Sequence, residues 1–300
     1  MPRTIFVHQV DAFTRVKFTG NPAGVVLDAD SLSDAEMLAI ARELNNADTA
    51  FILKADGPDH DLRVRFFTPR TEAAFVGHAS VAAHYVLSGA ANDSGRVRQK
   101  SRAGIVAVEI RGNDVQRRIA IRQSAPPLGR EINDRERLAV MDALALASPD
   151  LDPQCPVKVV GGGSTRLMVG VRGAEQLRQL KPDFSRLTTL SAQLGAQGFF
   201  VFTLAPAVAD VLTESRMFCP ALGIPEDPVS GNAHGMLGVY LARHGLLGAA
   251  AAQAHFAGAQ GHHLNRPGRV EVELEYQEGG VSGVWIVGQA TAIFETQIQL

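Results

Sequence analysis

One pattern occurs twice in this sequence. Phe66-Phe67-Thr68-Pro69 is followed by Gly77-His78-Ala79 and then by Tyr85 and Leu87; Met217-Phe218-Cys219-Pro220 is followed by Gly231-Asn232-Ala233 and then by Tyr240 and Leu241. Upstream, Val25-Val26 leads through a Leu/Ala-rich stretch to Phe51-Ile52, and Met168-Val169 leads through a similar stretch to Phe200-Val201. A sequence that repeats over this span is constrained to form two similar domains, and a cleft between such domains is a natural place for chemistry that draws one group from each side. The 300 residues suffice for two cores of ordinary size.

Local signals fill in each half. Thr4 to Ala12 and Gly24 to Leu27 are rich in Val, Ile and Phe and read as strands, with Asn21-Pro22 as the turn between them. Ser33 and Glu36 have the spacing of a capping box ahead of Met37, Leu38, Ile40, Ala41 and Leu44, which recur at helical period. Ala50 to Lys54 and Leu62 to Phe67 read as strands, Ala79 to Leu87 as a buried helix, and Val97 to Arg102, Ile105 to Ile110 and Arg117 to Arg122 as short alternating strands. The second half repeats this with Ala233 to His244 as its helix, so each half is expected to be a curved, mostly antiparallel sheet wrapped round one helix. Ser124-Ala125-Pro126-Pro127-Leu128-Gly129 marks the boundary, because paired prolines continue neither a ladder nor a helix. The N-terminal domain then covers 1–125 and the C-terminal domain 126–285. Val284 to Gln299 alternates in a way that can pair with either sheet, and 286–300 is assigned to completing the N-terminal domain.

Composition excludes several classes. With 29 basic against 31 acidic residues and 46% hydrophobic content, the chain reads as a globular protein with no nucleic-acid partner. Met1 to Phe13 lacks a signal-peptide pattern, and Gly198 to Leu212 is too short to span a bilayer and is broken by Pro206, so no membrane partner and a cytoplasmic location are expected. Cys155 and Cys219 read as reduced thiols, and nine histidines, His262-His263 among them, show no His-Glu-x-x-His spacing, so no metal is expected. Arg96, Arg98, Lys100 and Arg102 alternate as a solvated strand face would. Gly161-Gly162-Gly163-Ser164-Thr165 lacks the Gly-Lys-Ser/Thr ending of a phosphate loop and is expected to lead into a strand; Ser230 lacks the glycine of a nucleophile elbow, Pro228 standing there instead.

Gly20-Asn21-Pro22-Ala23, Phe67-Thr68-Pro69 with Gly77-His78-Ala79, Glu226-Asp227-Pro228-Val229-Ser230-Gly231-Asn232-Ala233, and Gln260-Gly261-His262 with Arg266-Pro267-Gly268-Arg269-Val270 resemble, in order and over nearly the whole chain, the PhzF-like isomerase family of phenazine biosynthesis. The resemblance implies an α+β, diaminopimelate-epimerase-like fold: two pseudo-symmetric open β-barrel domains, each round a central helix, with the active site between them. It also implies proton transfer at carbon without a cofactor, and a homodimer. The family's catalytic Glu falls on Asp48 in Asn46-Ala47-Asp48-Thr49-Ala50-Phe51, its histidine on His78 and its aspartate on Asp227. Gly77, Gly231 and Asn232 match the segments that hold the substrate carboxylate, Asn232 standing where the best-known members have Ser. The cysteine pair of the related epimerases and racemases has no counterpart here.

The residue types suit that chemistry. Moving a proton between carbons needs a group that accepts it, a group that returns it, and a fixed site for the carboxylate. Asp48, His78 and Asp227 supply the first two, and the helix starts at Gly77 and Gly231 the third, through unpaired amides and dipole ends that attract an anion. Singly, each of the three has a bland reading: a turn or cap for the aspartates, a structural role for His78. The expectation is an isomerase acting on a small carboxylated substrate, with an amino-acid epimerase or racemase of the same fold, or a non-catalytic binding protein, as alternatives.

Overall fold

In a computed structural model of the chain the described residues are 3–91, 95–113, 116–248 and 254–300. The chain divides into two compact units, Met1–Gln123 with Val287–Leu300, and Ser124–Ile286. In chain order the first unit contributes β1 (Thr4–Ala12), β2 (Asn21–Val26), α1 (Asp34–Leu44), β3 (Asp48–Lys54), β4 (Leu62–Phe67), β5 (Glu72–Ala73), α2 (Gly77–Ala91), β6 (Gly95–Ser101), β7 (Gly104–Arg111) and β8 (Arg118–Ser124). The second follows with β9 (Leu128–Glu131), α3 (Asp134–Leu144), β10 (Lys158–Gly161), β11 (Thr165–Val171), α4 (Ala174–Gln179), α5 (Phe184–Leu194), β12 (Phe199–Thr203), β13 (Thr213–Cys219), β14 (Ile224–Asp227), α6 (Gly231–Arg243), β15 (His255–Gln260), β16 (Gly268–Gln277) and β17 (Gly280–Gly288). The last strand, β18 (Ala290–Gln299), returns to the first unit, where it pairs antiparallel with β1.

Strand pairing repeats between the units. Unit 1 runs β18-β1-β2-β3-β4-β6-β7-β8, with β5 as a short partner of β4. Unit 2 runs β9-β10-β11-β12-β13-β15-β16, with β14 as the short partner of β13. The sheets are more mixed than expected: β2–β3, β4–β6, β11–β12 and β13–β15 are parallel pairs. Each is bridged by a helical crossover, which a parallel connection requires. The fold class is α+β.

Side chains alternate across each sheet. On one face Phe51 and Leu53 of β3 pack with Met37, Ile40 and Ala41 of α1, and Phe199, Val201 and Phe218 pack with helices α3 and α5. On the other face lies the central helix: α2 against β1, β2, β3 and β18, and α6 against β10, β11 and β16. Phe202 meets Tyr240 of α6 edge-on at 5.8 Å between centroids. Burying side chains of this size contributes roughly 1.5–3 kcal/mol each.

Three sequence readings are corrected. Asn21 and Pro22 are not a turn but the first residues of β2, facing Ala12 and Asp11 of β1. The turn precedes them, with Phe13, Phe18 and Gly20 at positive φ, and the Phe18 amide donates to Asp11 Oδ2 at 2.7 Å. The helices read from Ala79 and Ala233 begin two residues earlier, Gly77 and Gly231 being the first residues of α2 and α6. Of Ser124 to Gly129 only residues 125–127 lie outside strands, since Ser124 ends β8 and Leu128 begins β9. The capping box holds, Ser33 Oγ accepting from the Glu36 amide. Thr165 after the glycine run begins β11, and the basic stripe on β6 is ion-paired: Arg98 to Asp61 at 2.7 Å and Lys100 to Asp56 at 2.9 Å. Among the described residues no helix is long and apolar enough to cross a membrane.

Candidate active site

Asp48 opens β3 opposite Ala23 of β2, and strand alternation turns it, with Ala50 and Ile52, away from α1 and toward the α2 face. His78 is the second residue of α2. Both are only 7% exposed, and Asp48 Oδ2 lies 3.9 Å from His78 Nε2. That is beyond a hydrogen bond, yet close enough for both to serve one reacting group. His78 Nε2 is buried with no hydrogen-bond partner among the described residues. Burial pushes the imidazole down to about 4, so His78 is neutral at neutral pH.

A Cβ placed on Gly77 would meet no atom within 4 Å, and its φ is ordinary. Neither packing nor backbone strain demands glycine there. The first amides of α2 have no partners within the helix.

In unit 2, Asp227 ends β14 and is half-buried. Its carbonyl accepts from Gln260 Nε2 at 2.7 Å, and Gln260 Oε1 accepts from the Ser230 amide at 3.1 Å. One buried side chain thus clamps both ends of Asp227-Pro228-Val229-Ser230. Ser230 caps α6, its Oγ accepting from the Ala233 amide, and its carbonyl accepts from His234 Nδ1 at 2.8 Å. Gly231 and Asn232 follow as the first two residues of α6. The sequence carried Gln260 only inside a motif; the detectable signal was Gly261 beside it, which has φ +89° and whose Cβ would lie 2.1 Å from the Arg266 carbonyl oxygen.

The duplication extends to an ion pair and its aromatic support. Arg65 binds Glu72 through two nitrogens and lies 5.1 Å from the Phe67 ring centroid; Arg216 binds Glu226 likewise and lies 5.0 Å from Phe218. Aligning the units on this triad, on the β3–β4 and β12–β13 registers and on the helix starts places Gly198 opposite Asp48, Asn232 opposite His78 and Ala73 opposite Asp227. The frame is repeated, its ion pair included, but Asp48, His78 and Asp227 are not. Both cysteines are buried, and burial pushes each thiol up to about 12, so neither offers a thiolate.

Comparison with known proteins agrees with this architecture. The family described as phenazine biosynthesis-like protein (PhzC-PhzF) matches residues 10–296. The uncharacterized isomerase YddE of Salmonella typhimurium is 40% identical over 294 residues, covering 97% of each chain. The trans-2,3-dihydro-3-hydroxyanthranilate isomerase of Pseudomonas fluorescens is 32% identical over 242 residues, covering 79% of this chain and 80% of that one. The crystal structure of a Bacillus anthracis phenazine biosynthesis protein of the PhzF family superposes with a TM-score of 0.87 at 28% identity, covering 99% of this chain and 100% of that one. The chain is therefore an isomerase of the diaminopimelate-epimerase-like fold. It belongs to the PhzC-PhzF, phenazine biosynthesis-like family.

Proposed function

We propose that the chain moves a proton between carbons of a small carboxylated substrate, without a cofactor. The observation that carries this reading is the buried Asp48–His78 pair, 3.9 Å apart, beside the open helix start at Gly77. The Asp48 carboxylate takes the carbon-bound proton and returns it to a second carbon. Neutral His78 offers one donor and one acceptor, so it relays or steadies that proton without adding a competing charge. Asp227 is a further acidic group assigned to orienting the substrate and handling the proton. The substrate carboxylate is held by helix-start amides, with Asn232 as an added donor.

A single base that serves both carbons is favoured over a two-base epimerase. Epimerisation needs bases on opposite faces of one carbon, and the counterparts of Asp48 and His78 in the repeated frame are Gly198 and Asn232. One relative is named trans-2,3-dihydro-3-hydroxyanthranilate isomerase. The test is incubation in deuterated water, with a chelator present, using that compound and a panel of amino and hydroxy acids. Incorporation of deuterium at carbon is the expected result. No exchange into any carboxylated compound by folded protein would sink the proposal.

A further inference from the structure

Unit 2 holds a cavity of about 480 Å³ that the proton chemistry does not use. Leu177, Val208, Glu214, Arg216, His262 and His263 line it. Strand alternation fixes its side of the sheet. Thr213 points inward, its Oγ1 and the His234 ring both lying against Gly258, so Glu214, Arg216 and Phe218 point outward, toward α4 and α5. The β13 strand therefore separates this cavity from α6. Its volume falls within the usual range for small-molecule sites.

Two arginines and one carboxylate line it, and both arginines are paired with carboxylates outside the lining. Arg216 is satisfied: Nε and Nη2 bind Glu226 at 2.9 and 2.8 Å, and Nη1 donates to the Leu177 carbonyl at 2.9 Å. Arg178, also on the lining, is paired with Glu175 at 2.6 Å. Glu214 is different. It is only 8% exposed, its Oε2 accepts from the Ala207 amide at 2.9 Å, and among the described residues it makes no ion pair. A nearly buried carboxylate without a counter-cation is costly, so its presence in a cavity needs an explanation. The other unit supplies the contrast. Two residues before Arg65, at the place of Glu214, stands Arg63, and Asp56 from the β3–β4 connection neutralises it at 3.0 Å. The matching connection between β12 and β13 gives Glu214 a backbone amide and no charge.

We propose that this cavity binds a small primary amine, with its ammonium against Glu214 and its carbon skeleton on Leu177 and Val208. An ammonium has three donors; the second carboxylate oxygen of Glu214 accepts one, and the imidazoles of His262 and His263 supply further acceptors on the same lining. This assignment is independent of the isomerase reading. It is tested on the full chain by methyl NMR, titrating n-butylammonium chloride and, as the charge-reversed control, sodium butyrate. Saturable shifts at the Leu177 and Val208 methyls are expected with the amine and not with butyrate, and Glu214→Gln should weaken the amine ~10-fold or more. Ala207→Trp, which fills the cavity and leaves the carboxylate in place, should also block the shifts and covers the case in which Glu214→Gln misfolds. Equal response to butyrate, unchanged amine affinity in folded Glu214→Gln, or no saturation up to about 50 mM amine would overturn the proposal.

Discussion

At the scale of single residues, three buried histidines set the acid limit of the fold. His78, His84 and His234 are each pushed by burial from an ordinary value of 6.5 down to about 4. The unfolded chain therefore binds more protons than the folded one between those values, and stability falls as pH drops through that window. The slope is ~1.4 kcal/mol per pH unit for each histidine, and their contribution is complete above about pH 6.5. Urea unfolding at pH 7, 6 and 5 checks this: His84→Gln should flatten the fall, and an unchanged slope would contradict the assignment. Asp48→Glu tests the reach of the base. The longer arm moves the carboxyl about 1.5 Å, and exchange at carbon should fall ~100-fold. A rise in exchange would show that the shorter side chain is a handicap. Asp48 and His78 were named together only through the family resemblance, since the strand and helix read from periodicity began two residues after Asp48 and one after His78. The neutrality of His78 was not foreshadowed, since it follows from burial by distant elements.

At the scale of elements, the support for Asp227 comes from a side chain on another strand. Gln260→Ala removes both the donor to the Asp227 carbonyl and the acceptor for the Ser230 amide. The expected loss is ~1–3 kcal/mol of stability, because buried backbone groups are left unpaired. Retained enzyme should also show a lower kcat with KM nearly unchanged, and wild-type kcat in Gln260→Ala would contradict the clamp. Contacts of this separation leave no trace in local periodicity, which explains why the sequence pointed to the motif and not to its role. Strands such as β1 and β4 were readable because their alternation and their burial agree. The start of β2 was not, because Asn-Pro is ordinarily turn chemistry. Here Pro22 lies one residue before the β2–β3 ladder begins at Ala23 and Asp48, so its missing N–H faces only one neighbouring strand.

At the scale of the molecule, the repeat was visible in sequence but the exchange of its end strands was only partly so. β18 enters unit 1 from the far end of the chain and pairs along the whole of β1, while β9 occupies the corresponding place beside β10. Deleting 290–300 should strip β1 of one neighbour, and amides along β1 should lose hydrogen-exchange protection while those of β12 keep it. Equal protection in β1 before and after deletion would contradict the pairing. The same duplication builds the Arg–Glu–Phe frame twice, while Asp48 and His78 have Gly198 and Asn232 as their counterparts in the second copy. The central claim is that Asp48 moves the proton. Its most direct measurement is the rate of solvent deuterium incorporation at the substrate carbon by wild type and by Asp48→Asn, whose amide is nearly isosteric but cannot cycle a proton. The account predicts a loss of ~10²–10⁴-fold with substrate binding and thermal stability retained; incorporation at the wild-type rate would contradict it.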